Sequence, residues 1–251
     1  MFYFRDDTND HLIYDEIFKR NAYNLPASFS DTDIIIDIGA HLGFFTYAAA
    51  ERGAGIVYAI EAEAENYKLA KENLQAFIDQ NKVKLLQAAI WRSDEKGAVL
   101  FHSGHPRRFD CQIESKLINT GGGDVLWQTS GTPISTLAFD DLVTEASQQQ
   151  TKRIHILKID CEGSEWPILL TSQTLHLIDE IHGEFHEIGG PYDTFSAPFS
   201  IPGYQRFTVE ELQTFLEQQN FTFSYTRLTR SDGLPSRLGM FTAINKAHVV
   251  G

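Results

Sequence analysis

The stretch Ile34-Ile35-Ile36-Asp37-Ile38-Gly39-Ala40-His41-Leu42-Gly43 decides how the chain is read. Three isoleucines in succession, with a fourth after Asp37, suit a parallel strand covered on both faces. Gly39 lets the backbone bend sharply, so that the next helix can turn its free N–H groups toward a ligand. Eighteen residues past Gly43, a second apolar run, Gly55-Ile56-Val57-Tyr58-Ala59-Ile60, ends in Glu61. An acidic side chain at the tip of a second strand is placed to accept both hydroxyls of a ribose. Together these features predict a nucleotide-cofactor cradle.

Outward from this stretch, strands and helices alternate. Strands are expected over 34–38 and 55–60, and helices over 43–52 and about 64–78, where Tyr67, Ala70, Leu74, Phe77 and Ile78 share one face. A third strand is expected over Val83 to Ile90 and a fourth over Ile154 to Asp160. The fourth leads through Cys161-Glu162-Gly163-Ser164-Glu165-Trp166-Pro167 into an apolar helix reaching about His176. A fifth, about Glu180 to Phe185, precedes His186-Glu187. Thr208-Val209-Glu210-Glu211 reads as a capping box opening a helix to about Gln219. Phe221 to Leu228 and Leu238 to Asn245, around a turn at Ser231-Asp232-Gly233, suit a closing antiparallel hairpin. Such alternation favours a doubly wound α/β sheet of seven mostly parallel strands, with its ligand site at the carboxyl ends of the strands.

Residues 1–30 read as an aromatic-rich N-terminal cap, helical from about His11 to Lys19, before one domain spanning 31–251. Between about Asp94 and Thr136 the periodicity is lost. A hairpin near Ala98 to His102 and a lid or binding loop at about 101–135, loosest at Gly121-Gly122-Gly123, are expected there.

At 251 residues, 42% hydrophobic and 22% charged, the composition is that of a soluble globular chain. Apolar runs fall far short of the roughly 20 residues needed to span a bilayer. No secretory leader is read at the N-terminus, and a cytoplasmic location is expected. The formal charge of −13, with no basic cluster longer than Arg107-Arg108, argues against a nucleic-acid partner. Cys111 and Cys161 form no Cys-x-x-Cys pair and are expected as reduced thiols. The expected partner is a small-molecule acceptor, and a homo-oligomer stays compatible with the sequence.

Several strings resemble the FkbM family of class I, Rossmann-like S-adenosylmethionine-dependent methyltransferases. They are Asp37-Ile38-Gly39-Ala40-His41-Leu42-Gly43-Phe44-Phe45-Thr46, Ile60-Glu61, Lys68 to Leu74, Ser135-Thr136-Leu137, Asp140-Asp141-Leu142 and Leu157-Lys158-Ile159-Asp160-Cys161-Glu162-Gly163-Ser164-Glu165. The Arg5 to Asp10 segment is similar to the family's lead-in. Ala62 departs from a frequent proline and His41 from a frequent asparagine. The resemblance implies S-adenosylmethionine as cofactor and methylation of oxygen on sugars, polyketides or similar secondary metabolites. Asp37, Gly39, His41, Gly43, Phe44, Glu61, Ala62 and Ala89 are the residues expected around the cofactor.

Asp160 and Glu162 stand where the fourth strand meets its helix; they either act on donor and acceptor or cap the helix beginning near Ser164. Glu184, His186 and Glu187 follow the fifth strand. Catalytic roles are expected for His186, Asp160 and Glu162, with His186 the candidate base because its ordinary pKa lies near neutrality. The alternative is Mg²⁺ or Mn²⁺ held by Asp160 and Glu184. Two other function classes share the cradle: an NAD-dependent oxidoreductase, which favours a middle glycine where His41 stands, and a non-catalytic cofactor-binding scaffold.

Overall fold

The computed structural model describes residues 2–95, 99–101, 118–122, 132–193 and 196–248. In chain order these form α1 (Asp10–Phe18), β1 (Ile34–Ile38), α2 (Phe44–Glu51), β2 (Ile56–Glu61), α3 (Ala64–Asp79), β3 (Val83–Gln87), β4 (Ala89–Trp91), β5 (Val99–Phe101), β6 (Thr132–Ile134) and β7 (Thr136–Ala138). There follow α4 (Phe139–Ala146), β8 (Ile154–Ile159), α5 (Glu165–Leu170), β9 (Ile178–His186), α6 (Val209–Gln218), β10 (Phe221–Thr229) and β11 (Pro235–Asn245).

Seven strands join in the order β10-β11-β9-β8-β1-β2-β3. Only β11 runs against the rest, paired antiparallel with both β9 and β10. This is the α/β sheet with an antiparallel terminal hairpin that the sequence predicts. β1 lies in the middle, hydrogen-bonded to β2 and β8, and all five of its residues are buried.

The period of two sorts β1 between two cores. Ile34, Ile36 and Ile38 pack with Phe139 and Leu142 of α4, Trp166 and Leu169 of α5, and Leu212 of α6. Ile35 faces the other way, among Ile17 of α1, Phe44, Phe45 and Ala48 of α2, and Ala70 and Leu74 of α3. Helices thus cover both faces, and burying each such side chain contributes about 1.5–3 kcal/mol. Ile35 and Ile36 are both 0% exposed, so a charge at either would be buried among apolar side chains.

The structure differs from the sequence reading at three joints. The run Val83 to Ile90 is two strands, because β2 ends at Glu61 and offers nothing beyond it. Ala88 makes the last bond, to the Glu61 carbonyl, and Ala89 turns to the Ser135 carbonyl and pairs with β7. The helix expected to reach His176 stops at Leu170. Asp140 draws the next residues away, accepting from the Ser172 and Thr174 hydroxyls at 2.6 and 2.7 Å and from the Gln173 N–H at 2.9 Å. The helix α4 was not expected, although Phe139, Leu142, Val143 and Ala146 bury one helical face.

The capping box at Thr208 and Glu211 is present. Near Ala98, β5 pairs antiparallel with the distant β6. Most of the expected lid at 101–135, including Gly123 and Cys111, lies outside the described residues. No helix among the described residues is long and apolar enough to cross a membrane.

Candidate active site

A cavity of about 280 Å³ opens at the carboxyl ends of β1, β2, β8 and β9, the position a parallel sheet dictates. Its walls include Gly39 to His41 after β1, Glu61 to Glu63 after β2, Ala88 to Ile90 after β3, Asp160 to Glu162 after β8, and Glu184 and His186 on β9. Of the residues expected around a cofactor, Gly39, His41, Phe44, Glu61, Ala62 and Ala89 line it.

Asp37 and Gly43 are absent from these walls and support the turn from behind. Asp37 is 0% exposed; it accepts the Thr46 hydroxyl at 2.6 Å, and the Lys158 ammonium stands 3.3 Å from its other oxygen. Lys158 in turn donates to the carbonyls of Ile38 and Gly39 at 3.2 and 2.6 Å. Burial opposes the Lys158 charge, but Asp37 and then Asp160 outweigh it and hold its pKa above the usual lysine value. The turn needs glycine on steric grounds. Gly39 and Gly43 have φ of +77° and +80°; a Cβ on Gly39 would strike the Asp160 carbonyl, and one on Gly43 would meet Leu74 at 2.7 Å.

At one end of the cavity Glu61 accepts the N–H groups of His41 and Glu63 at 2.7 and 2.8 Å. Burial raises its pKa to about 7 against the pull of those bonds. His41, at φ +51°, is held neutral: burial, with Arg5 and Lys158 nearby, overrides Asp10 and lowers its pKa to about 3. Its Nε2 lies 2.9 Å from the Thr120 hydroxyl. Thr120 also bonds Asp10 at 2.6 Å, and Arg5 grips the same carboxylate with Nε and Nη2 at 3.0 and 2.9 Å. Beside Glu61, His41 Nδ1 and Asn66 Oδ1 are buried with no hydrogen-bond partner among the described residues. A carboxylate with spare lone pairs, two orphaned polar atoms and the apolar wall of Phe44, Ala62 and Ala89 suit an adenosine-type group.

At the other end four carboxyl side chains, Glu16, Asp160, Glu162 and Glu184, line the wall together with His186. His186 Nδ1 lies 2.8 Å from Glu165 and its Nε2 lies 3.4 Å from Glu162. Burial opposes its charge, but Glu165 and Glu162 prevail and raise its pKa to about 10. Glu162 sits in the left-handed region at φ 55°, followed by Gly163 at φ 100°. For a non-glycine residue that conformation is uncommon and costs of order 1–3 kcal/mol, a cost met mostly at functional sites. Burial raises the Glu162 pKa to about 7, with His186 opposing; burial and Asp160 push Glu184 well above the usual carboxylate range.

The Methyltransferase FkbM domain model matches residues 37–223. The chain belongs to the FkbM methyltransferase family. A curated relative, "Methyltransferase 1" of Beauveria bassiana (strain ARSEF 2860), is 24% identical over 244 residues, covering 93% of this chain and 88% of its own. Among solved structures, an FkbM methyltransferase from Methylobacillus flagellatus KT superposes with a TM-score of 0.47 at 14% identity, over 92% of this chain and 47% of that one. TrmK of M. capricolum, solved with S-adenosyl-homocysteine, gives 0.46 at 12% identity, over 91% and 68%.

For this FkbM member the electrostatics of the site bear on two expectations about chemistry. Asp160 and Glu184, the expected metal pair, both line the cavity, and among the described residues Asp160 also groups with Glu165 and His186, their donor atoms within 4.8 Å. Within that group Glu165 and Glu162 hold His186 toward its protonated form, in which the imidazole has no lone pair to give. His186, expected as a base, is already a cation near neutral pH. The sequence reading also missed the N-terminal contribution. Asn9, Leu12, Ile13, Glu16, Ile17 and Tyr23 all line the cavity, and Tyr23 donates to Asp160 at 2.7 Å. The polar spacing of Arg5, Asn9 and Asp10 was the available signal.

Proposed function

We propose that the protein is an S-adenosylmethionine-dependent O-methyltransferase acting on a hydroxyl of a small molecule such as a sugar or secondary metabolite. One observation carries this reading: a single cavity has a ribose-type acceptor, Glu61, at one end and the carboxyl groups of Asp160, Glu162 and Glu184 at the other. Bound, the cofactor would supply a methyl group on a positively charged sulfur. Glu61 would take the ribose hydroxyls, and Phe44, Ala62 and Ala89 would wall the adenine.

The protein's main task is to hold the acceptor oxygen in line with the methyl carbon, and positioning of this kind lowers a barrier by roughly 7–11 kcal/mol. Glu16 and Glu184 line that volume and can hydrogen-bond a polyol. Glu162 would take the hydroxyl proton of the acceptor when the methyl group that the bound cofactor supplies is transferred. With a pKa of about 7, Glu162 exchanges a proton near neutrality, and His186 stabilises its ionised form. A general base at this position adds about 10² to 10⁴ in rate.

Calorimetry with S-adenosylhomocysteine and NADH tests the cofactor, and labelled methyl transfer to a panel of polyols, amino sugars and phenols tests the reaction. Binding of S-adenosylhomocysteine without NADH, and label recovered as methyl ether, is the expected result. NADH binding alone would move the protein to the oxidoreductases, and label on nitrogen or carbon would overturn the O-methyl assignment.

A further inference from the structure

We infer that Tyr23 is a positioning residue of this site: it holds Asp160 so that the second carboxylate oxygen faces the cationic half of the bound cofactor. The inference rests on the cofactor proposed above. Tyr23 belongs to the N-terminal segment, 137 positions from Asp160, yet its Oη donates to Asp160 Oδ2 at 2.7 Å, and both residues line the cavity. A carboxylate has two oxygens, so fixing one in a single bond orients the other.

The phenol is held from several sides. Tyr23 is 6% exposed, its ring meets Phe45 edge-on at 5.8 Å, and Lys158 stands 5.4 Å from the ring centre. The loop that carries it is tied down as well. Asn21 bonds the Leu25 carbonyl and N–H at 2.9 and 3.1 Å, and Arg52 donates to the carbonyls of Leu25 and Pro26 at 3.0 and 2.9 Å. Tyr23 is therefore a fixed donor, with nothing to gain by swinging away.

The position of Asp160 points to the ligand it serves. Its backbone carbonyl lies against Gly39, so the residue is pressed onto the glycine turn after β1. The cationic groups of S-adenosylmethionine are its sulfonium and its ammonium; the demethylated product keeps only the ammonium. An Asp160 oxygen aimed at the transferring centre distinguishes donor from product by charge. Tyr23 would thereby favour release of the product over the donor.

The test is calorimetric titration of wild type, Tyr23→Phe, Asp160→Asn and the double variant with three probes. These are S-adenosylmethionine, S-adenosylhomocysteine and sinefungin, in which an aminomethine replaces the methylated sulfur. Tyr23→Phe keeps the ring packing and removes only the hydroxyl, and thermal melts check that it is folded. The expected result is a loss of about 5- to 10-fold for the two probes charged at the transfer centre, the scale of one hydrogen bond, with S-adenosylhomocysteine changed less than 2-fold. The double variant should bind no more weakly than Asp160→Asn alone. Equal losses for all three probes would mean that Tyr23 only packs the N-terminal segment, and no loss would mean that Asp160 does not face the cofactor; either overturns the inference while leaving the cofactor intact. Failure of the wild type to bind any probe would overturn the cofactor and this inference together.

Discussion

Replacing Glu61 with alanine removes the carboxylate on which the ribose assignment rests. The side chain is 6% exposed and already satisfies the His41 and Glu63 N–H groups, so its remaining lone pairs are oriented before any ligand arrives. Hydrogen bonds to a charged group are worth about 1.5–3 kcal/mol, which is roughly 12- to 150-fold in the dissociation constant of S-adenosylhomocysteine. Acidity adds a second signature. Its usual pKa of 4.5 is raised to about 7 in the fold. Between about pH 4.5 and 7 the folded chain therefore holds a proton that the unfolded chain has lost, and this group's contribution to stability falls as pH rises through that window. Binding slopes the other way, because ribose hydroxyls need the ionised form. Affinity should rise between pH 6 and 8, by at most about tenfold per unit below the folded pKa, and Glu61→Gln should flatten the curve. Calorimetry at four pH values measures both effects. A Glu61→Ala protein that binds S-adenosylhomocysteine within 2-fold of wild type would falsify the ribose assignment.

Three further outcomes are expected. Glu162→Gln should lower turnover by about 10² to 10⁴ with S-adenosylhomocysteine affinity retained, and the wild-type rate should climb through pH 7 as Glu162 ionises; a pH-independent wild-type rate would remove Glu162 as the base. Gly39→Ala forces a Cβ onto the Asp160 carbonyl at a φ of +77°, and should destabilise the protein by about 2–4 kcal/mol in urea unfolding; a change under about 0.5 kcal/mol would mean that the turn rearranges freely. Methyl transfer should survive EDTA, since Glu165 is engaged with His186 and Asp160 with Tyr23; loss of activity restored by Mg²⁺ or Mn²⁺ would revive the cation mechanism.

The cradle was legible because it is local: the isoleucine run, the bend at Gly39 and the acid at Glu61 lie within 28 residues, and each has a steric or charge reason on its own. What escaped the sequence depends on contacts between distant residues. Nothing around His186 shows that Glu165 will stand 2.8 Å away and keep the ring protonated. Nothing around Asp37 shows that Lys158 and Thr46 will enclose it. The N-terminal helix carried a readable apolar face, but its destination over the cavity is set by tertiary packing. The helix at Phe139 was a different kind of miss, since its spacing was present and the aperiodic stretch before it drew the reading away.

The placement of β11 between β9 and β10 has a consequence for the chain as it is made. Until β11 arrives, β9 is the border of the sheet, with one row of N–H and C=O groups unmatched. Its last residue, His186, precedes Pro235 by 49 positions, which at typical synthesis rates is about 2–10 s. A nine-residue border strand left open for seconds invites pairing with a neighbouring nascent chain. β9 is written as Ile178-Asp179-Glu180-Ile181-His182-Gly183-Glu184-Phe185-His186, with acids at three of its nine positions. Charges on an exposed border discourage such pairing, and Asp179, Glu180 and Glu184 put three of them on this one.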